Sequence, residues 1–284
     1  MKKIIIVAES GSDIPKEYVE RYGLHILPMY VNFEGESLED GSFPVEKIFR
    51  YHKETRKLPS TSAVSPEAYM EIFRKIHEEN PQAVILHLCY SAVTTCTWQN
   101  ALIASEDMDY VRHIDTKSVS AGQTAIILRT AKYLEEHPQT GIDEICQKLE
   151  EWIKDIRMYF FPGDLEYLRA GGRVSNAAYL GATLLSIKPL IKIDNGYLVA
   201  GKKYRGPMEK VSKKLVTDSL GKGELSTEEI YLIYSEGLSN ELRHSLEDMV
   251  HNLGAKKVMW IGTGGVISTH SGSGAFGIAG YRNC

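Results

Sequence analysis

The sequence predicts an α/β protein of two domains. Residues 1–157 read as an N-terminal Rossmann-like domain on a parallel sheet. Residues 158–284 read as a C-terminal α/β domain with a mixed sheet, whose last residues return to the domain interface. Three observations carry this prediction. Strand and helix patterns alternate up to about residue 155, as parallel sheets with helices on both faces require. Beyond that point strands follow one another with fewer helices between them. There Asp194-Asn195-Gly196 separates two apolar runs, and Asn-Gly tolerates the positive φ of a type I′ hairpin turn.

Each element follows from local signals. KIIIVA is a short apolar run and the first buried strand,. Ser10 to Asp13 make a turn, and Pro15 opens a helix,. HILPMYVNF reads as a second strand and FPVEKIFRYHKE as an amphipathic helix,. LPSTSAVSPEAYMEIFRKIHEEN reads as a loop and then a helix, with Ser65 as N-cap and Pro66 at the first helical position,. AVILHLCY is a third buried run, followed by the helix TTCTWQNALIASE. YVRHID is a fourth strand and SAGQTAIILRTAKYLEEH a long helix. The helix IDEICQKLEEWIKDI precedes the domain boundary. MYFFP, LIKID, YLVAGKKY, EIYLIYSE and KKVMWIG then read as strands, with NELRHSLEDMVHNLG as a helix.

Composition narrows the function classes. In 284 residues, 43% are hydrophobic and 25% charged, enough for one large core or two modest ones,. The net charge of -4 provides no general attraction to nucleic acid or an anionic membrane,. Cys89, Cys96, Cys146 and Cys284 stand far apart with no C-x-x-C pair. They suggest neither a zinc site nor a disulfide framework, and fit reduced thiols in cytoplasm. The apolar run IIIVA stops at Glu9, too short for a signal peptide,.

Gly272-Ser-Gly274-Ala-Phe-Gly277 is formally G-x-G-x-x-G. Only seven residues follow it, so no room remains for the helix, second strand and acidic residue of a dinucleotide site,. No cofactor or metal is expected. These glycines instead suit close backbone approach, toward an anion or a neighbouring segment. Three hydroxyl-rich loops fall where ligands bind in open α/β sheets. They are Glu9-Ser10-Gly-Ser12-Asp13, the loop holding Thr61 and Ser62, and the loop holding Ser91, Thr94 and Thr95. Helix capping consumes one hydroxyl per helix. The surplus, with His270, suits an anionic head group such as a carboxylate.

The stretch DLEYLRAGGRVSNAAYLGATLLSIKPLIKIDNGYL, residues 164–198, resembles the DegV family of bacterial fatty-acid-binding proteins. It carries that family's Leu-x-x-Leu helix, Gly-Gly-Arg-(Ile/Val)-Ser, a Lys-Pro strand and an Asp-Gly hairpin, and the element order agrees from Lys3 to Gly280. The resemblance implies the family's EDD fold and a long-chain fatty acid held between the domains. The protein would not be an enzyme: a separate fatty acid kinase would phosphorylate the presented carboxylate. Membrane contact would be peripheral or transient. The carboxylate would meet Thr61, Ser62, Ser91, Thr95, Thr269 and His270. Ser10, Gly171, Gly172 and Arg173 would lie near the ligand or face the partner. Phe160, Phe161, Tyr179, Leu180, Leu184, Leu185 and Ile187 are candidates for the tunnel, each also readable as ordinary core.

The sequence departs from the family pattern at Glu9 in the first loop, at Ala92 and Cys96 in the third, and in lacking a proline after His270. Two alternatives rest on other features. One is a lipid or ester hydrolase using Ser91, His270 and an acid such as Asp13 or Asp115, for which no G-x-S-x-G elbow exists,. The other is a phosphotransferase related to dihydroxyacetone kinases, for which no Walker A sequence exists,.

Overall fold

The computed structural model describes residues 2–174 and 187–283. In chain order the strands are β1 Ile4–Glu9, β2 His25–Leu27, β3 Tyr30–Phe33, β4 Glu36–Glu39, β5 Ser60–Ser62, β6 Val84–Cys89, β7 Val111–Asp115, β8 Ile156–Phe161, β9 Ile187–Asp194, β10 Tyr197–Arg205, β11 Leu225–Tyr234, β12 Val258–Gly262 and β13 Phe276–Arg282. The helices are α1 Lys16–Tyr22, α2 Glu46–Thr55, α3 Pro66–Glu79, α4 Thr97–Ala104, α5 Ser120–Glu136, α6 Ile142–Asp155, α7 Leu165–Gly171, α8 Met208–Val216, α9 Asn240–Asn252 and α10 Gly265–Ser271.

The first sheet is parallel throughout, in the order β2-β1-β6-β7. Successive β1 side chains face opposite ways, as the two-residue strand period demands. Ile5 and Val7 pack with Tyr69, Phe73 and Ile76 of α3. Ile6 and Ala8 pack with α5 and α6 residues such as Ile126 and Leu149. Helices therefore cover both faces, which is why the parallel strands read as continuous apolar runs.

The second sheet is mixed, in the order β10-β9-β8-β13-β11-β12. The β11–β12 pair is parallel and the other neighbours are antiparallel. One face, through Tyr231, Ile233 and Ala279, shares the core cluster of α5 and α6. The other, through Ile230, Leu232 and Ile278, packs on α8 and α9 residues such as Leu215 and Leu246. Helix α5 thus lies between the two sheets. Every residue from Ser120 to Leu128 is buried, so α5 shows no polar face in its sequence,.

Two sequence expectations change. HILPMYVNF is not one strand. It breaks at Pro28 into β2, in the parallel sheet, and β3, in a separate small sheet of order β4-β3-β5. Proline has no amide N–H for a ladder, so the chain changes sheets there. The loop before α3 contains β5, which carries Thr61 beside Val31 of β3. Ser65 does cap α3, its hydroxyl accepting from the Ala68 amide at 3.3 Å. The Asn-Gly turn also stands, with φ 48° at Asn195 and 87° at Gly196.

Candidate ligand-binding site

A cavity of about 320 Å³ lies where the two sheets meet. Its wall is apolar and drawn mainly from the second sheet and its connections: Met158, Phe160, Leu168, Leu198, Ile233 and Phe276. Its polar end is drawn from Thr61 and Ser62, from Thr94 and Thr95, from Arg173, and from His270 and Ser271.

The polar end is built by converging turns. β5 holds Thr61 so that its Oγ1 lies 2.9 Å from His270 Nε2. His270 sits at the last turn of α10. Buried carboxylates from distant segments fasten the start of that helix. Asp13 Oδ1 accepts from the Gly264 amide at 2.8 Å, and Asp40 Oδ1 accepts from the Gly265 amide at 2.6 Å. Ser120 donates to Asp13 and Ser10 donates to Asp40. Burial raises the pKa of both carboxyls.

The Gly-Gly-Arg turn has a physical account. Gly172 caps α7 in the left-handed region at φ 64°, where a side chain is disfavoured,. Gly171 packs flat on the His270 ring, where a Cβ would overlap Nδ1. Arg173 then reaches back, its Nη1 donating to the Gly171 carbonyl at 2.6 Å and its Nε to the Thr94 carbonyl at 3.4 Å. The arginine therefore ties the third loop to the end of α7 while lining the cavity.

Burial, and after it the Arg173 guanidinium, push the His270 pKa down to about 4. The ring is neutral at neutral pH and carries one proton. Nδ1 is buried without a hydrogen-bond partner. An orphaned buried N–H is rarer than an orphaned acceptor, so the proton belongs on Nε2, donating to Thr61. That leaves the Thr61 hydroxyl hydrogen free to donate elsewhere. Arg173, which the resemblance puts near the ligand or the partner, lines the same end of the cavity and adds a cation to it.

The remaining candidates divide. Ser62 lines the cavity and accepts from Asn32 Nδ2 at 2.6 Å. Thr95 lines it and pairs with the Thr97 hydroxyl at 2.9 Å. Ser91 does not line it: its hydroxyl is buried and donates to the Gly196 carbonyl at 2.8 Å. Thr269 does not line it either, donating instead to the Gly265 carbonyl at 2.8 Å one helical turn back. Ser10 is spent on Asp40 and on the Met29 amide, which donates to it at 3.0 Å. Of the tunnel candidates, Phe160 lines the cavity, whereas Phe161 points to the opposite face of β8 and stacks edge-on with Tyr204. Ile187 is absent from the lining, and Tyr179, Leu180, Leu184 and Leu185 lie outside the described residues. Sequence reasoning missed Ser271 and Thr263 of the lining, because the short helix α10 was not legible.

The G-x-G-x-x-G glycines serve the chain itself. The Gly274 amide donates to the Glu236 carbonyl at 2.9 Å. A Cβ at Gly277 would press on the Tyr159 carbonyl oxygen at 2.8 Å. Of the two roles allowed, close approach to a neighbouring segment is the one realised.

A parallel α/β layer and a mixed α/β layer enclosing an apolar cavity with one polar end define a two-lobed α/β architecture built around an internal pocket. The chain belongs to the DegV family, described as a family of uncharacterised proteins, whose pattern it matches over residues 3–283. It is 29% identical to a fatty acid-binding protein of Thermotoga maritima, across 97% of this chain and 96% of that one. Its fold matches a DegV family protein from Thermus thermophilus solved for fatty acid binding, with a TM-score of 0.88, 27% identity and 99% of each chain covered. A Thermotoga maritima structure described as revealing fatty acid binding function matches with a TM-score of 0.81 and 26% identity, over 98% of this chain and 99% of that one. These relatives are described as binding proteins rather than enzymes. Among the described residues no helix is long and apolar enough to cross a membrane.

Proposed function

We propose that this chain binds a long-chain fatty acid, its acyl tail in the apolar cavity and its carboxylate at Thr61, Ser62, Thr95, Arg173 and His270, and presents that carboxylate to a partner kinase. The observation that carries the reading is the pairing of Thr61 with a neutral His270 at the one polar end of an otherwise apolar pocket. The descriptions of the Thermotoga and Thermus relatives support it.

The energetics agree. Each buried methylene contributes about 0.8 kcal/mol, so the tail supplies most of the affinity. A hydrogen bond to a charged group adds roughly 1.5–3 kcal/mol. Burying the carboxylate unpaired would cost far more, so the Thr61 hydroxyl and Arg173 fix which end of the ligand sits where. Arg173 is exposed as well as lining the cavity, which suits a head group that a second protein must reach.

Ser91 is committed to the Gly196 carbonyl and is not within the cavity lining, so a Ser91–His270 hydrolase is not the favoured reading. Mass spectrometry of lipid extracted from the purified protein tests the binding half. A fatty acid in near-stoichiometric amount is the expected result, and lipid-free protein that also fails to take up added fatty acid would reject it. Incubating loaded protein with ATP and a fatty acid kinase tests the second half. Acyl-phosphate, trapped as the hydroxamate, should form with the kinase and not without it.

A further inference from the structure

A second cleft, of about 370 Å³, lies beside the start of β8, and Met158 lines both it and the apolar cavity. Its chemistry is the reverse. Lys117, Lys154, Arg157 and Lys192 all line it, against a single acid, Asp194. That acid is already paired with Lys192 at 2.7 Å. Arg157 spends Nη1 on the carbonyls of Lys154 and Ile156, at 2.7 and 2.8 Å, which anchors the guanidinium without neutralising it. Lys117 and Lys154 have no ion pair among the described residues. Three uncompensated cations thus share one concavity in a chain whose net charge is -4.

Two further features belong to the same place. Ser118 lines the cleft, is buried, and its hydroxyl has no hydrogen-bond partner. A buried hydroxyl left unsatisfied is costly and calls for an explanation. Lys117, beside it, holds φ 48° in the left-handed region, unusual for lysine,. Its amide is fixed there by donating to Asp115 Oδ1 at 2.9 Å. The turn is therefore held in a set conformation that places Lys117 at the cleft, while the Ser118 Oγ packs against Gly122 of α5.

We infer that this cleft is a binding site for the phosphate group of a small ligand, distinct from the fatty-acid cavity. A phosphate carries more than one negative charge at neutral pH and several acceptor oxygens. It matches a site with three surplus cations better than a single carboxylate does. Ile153, Ile156 and Ile193 at the margin provide apolar surface for the body that bears the phosphate. A soluble phosphorylated metabolite and a phospholipid head group offer the same chemistry.

Calorimetric titration of the full chain with pyrophosphate at low salt, and co-sedimentation with phosphatidylglycerol vesicles, separate the two sources. Binding in either assay should weaken about tenfold in Lys117→Asn with Lys154→Gln. Asparagine is chosen because it tolerates the left-handed backbone. Fatty-acid affinity should be unchanged in the lysine variant, which also reports that the chain is folded. Failure of wild-type protein to bind in both assays, or equal binding by wild type and the lysine variant, overturns the inference.

Discussion

Two histidines in this chain, His87 fully buried and His270 partly so, make a controlled comparison. His87 has both ring nitrogens engaged: Nε2 with Glu9 Oε1 at 2.5 Å and Nδ1 with His113 Nδ1 at 2.8 Å. His113 continues to Ser105 Oγ at 2.7 Å. Glu9 is wholly inside and accepts also from the Tyr69 hydroxyl, the Tyr90 amide and the Gln123 amide group. His270 has one nitrogen on Thr61 and the other without a partner, beside a cavity. The difference teaches that burial alone does not mark a ligand contact. His87 has a closed hydrogen-bond count, as a structural histidine requires, whereas His270 keeps one nitrogen open beside the cavity, which is why the proposal places a ligand there.

The comparison breaks most sharply in the core. Glu9→Ala strips one acceptor from four donors and should destabilise the fold by about 3–5 kcal/mol, the scale for breaking a buried pair. Phe161→Ala should cost a similar amount, about 3–5 kcal/mol, through the void it leaves. Denaturant melts measure both. Neither should change fatty-acid affinity by more than a few-fold where the protein remains folded.

The reverse pattern is expected at the cavity. His270→Ala and Phe160→Ala should each reduce fatty-acid affinity about tenfold or more, with the smaller effect on stability. Phe160 and Phe161 are neighbours on one strand, so opposite outcomes for the two sharpen the point that strand alternation, not sequence position, assigns them. Ser91→Ala should cost only about 1 kcal/mol of stability, from the bond to Gly196, and leave affinity unchanged.

A separate effect is on pH. His270 is depressed from 6.5 to about 4, and His113 from 6.5 to about 3, in both cases chiefly by burial. The unfolded chain takes up these protons first, so stability should be full above about 6.5 and decline as pH falls toward those folded values. His270→Ala should remove its share of the decline between pH 6.5 and 4. For Glu9, burial works to raise the pKa, but the His87, Tyr69 and Tyr90 contacts outweigh it and the carboxyl lies below its ordinary value of 4.5. Its contribution is present above 4.5 and is lost only at lower pH.

The parallel sheet was legible because buried parallel strands are uninterrupted apolar runs, as KIIIVA and AVILHLCY show. The hairpin was legible because Asn195-Gly196 has few other uses. β5 and β13 were not. Ser60–Ser62 has no apolar pattern, since its role is to hold Thr61 beside β3. Phe276–Arg282 reads as a glycine-rich tail, yet β13 is interior to the second sheet, where Gly277 and Gly280 admit close neighbours. Two of the hydroxyl-rich loops supply residues to the polar end of the cavity, Thr61 with Ser62 and Thr94 with Thr95. Which hydroxyls were free could not be read, because Ser91, Thr269 and Ser10 are satisfied by partners up to 105 positions distant.

Among the described residues, the polar end of the apolar pocket is built by Thr61, His270 and their neighbours. Calorimetric titration of delipidated protein with hexadecanoic acid, compared in wild type and in Thr61→Ala with His270→Ala, addresses it most directly. Saturable binding at one site, weakened at least tenfold in the variant while the melting temperature stays close to wild type, is the predicted result. No uptake by wild type, or the same affinity in both proteins, would contradict it.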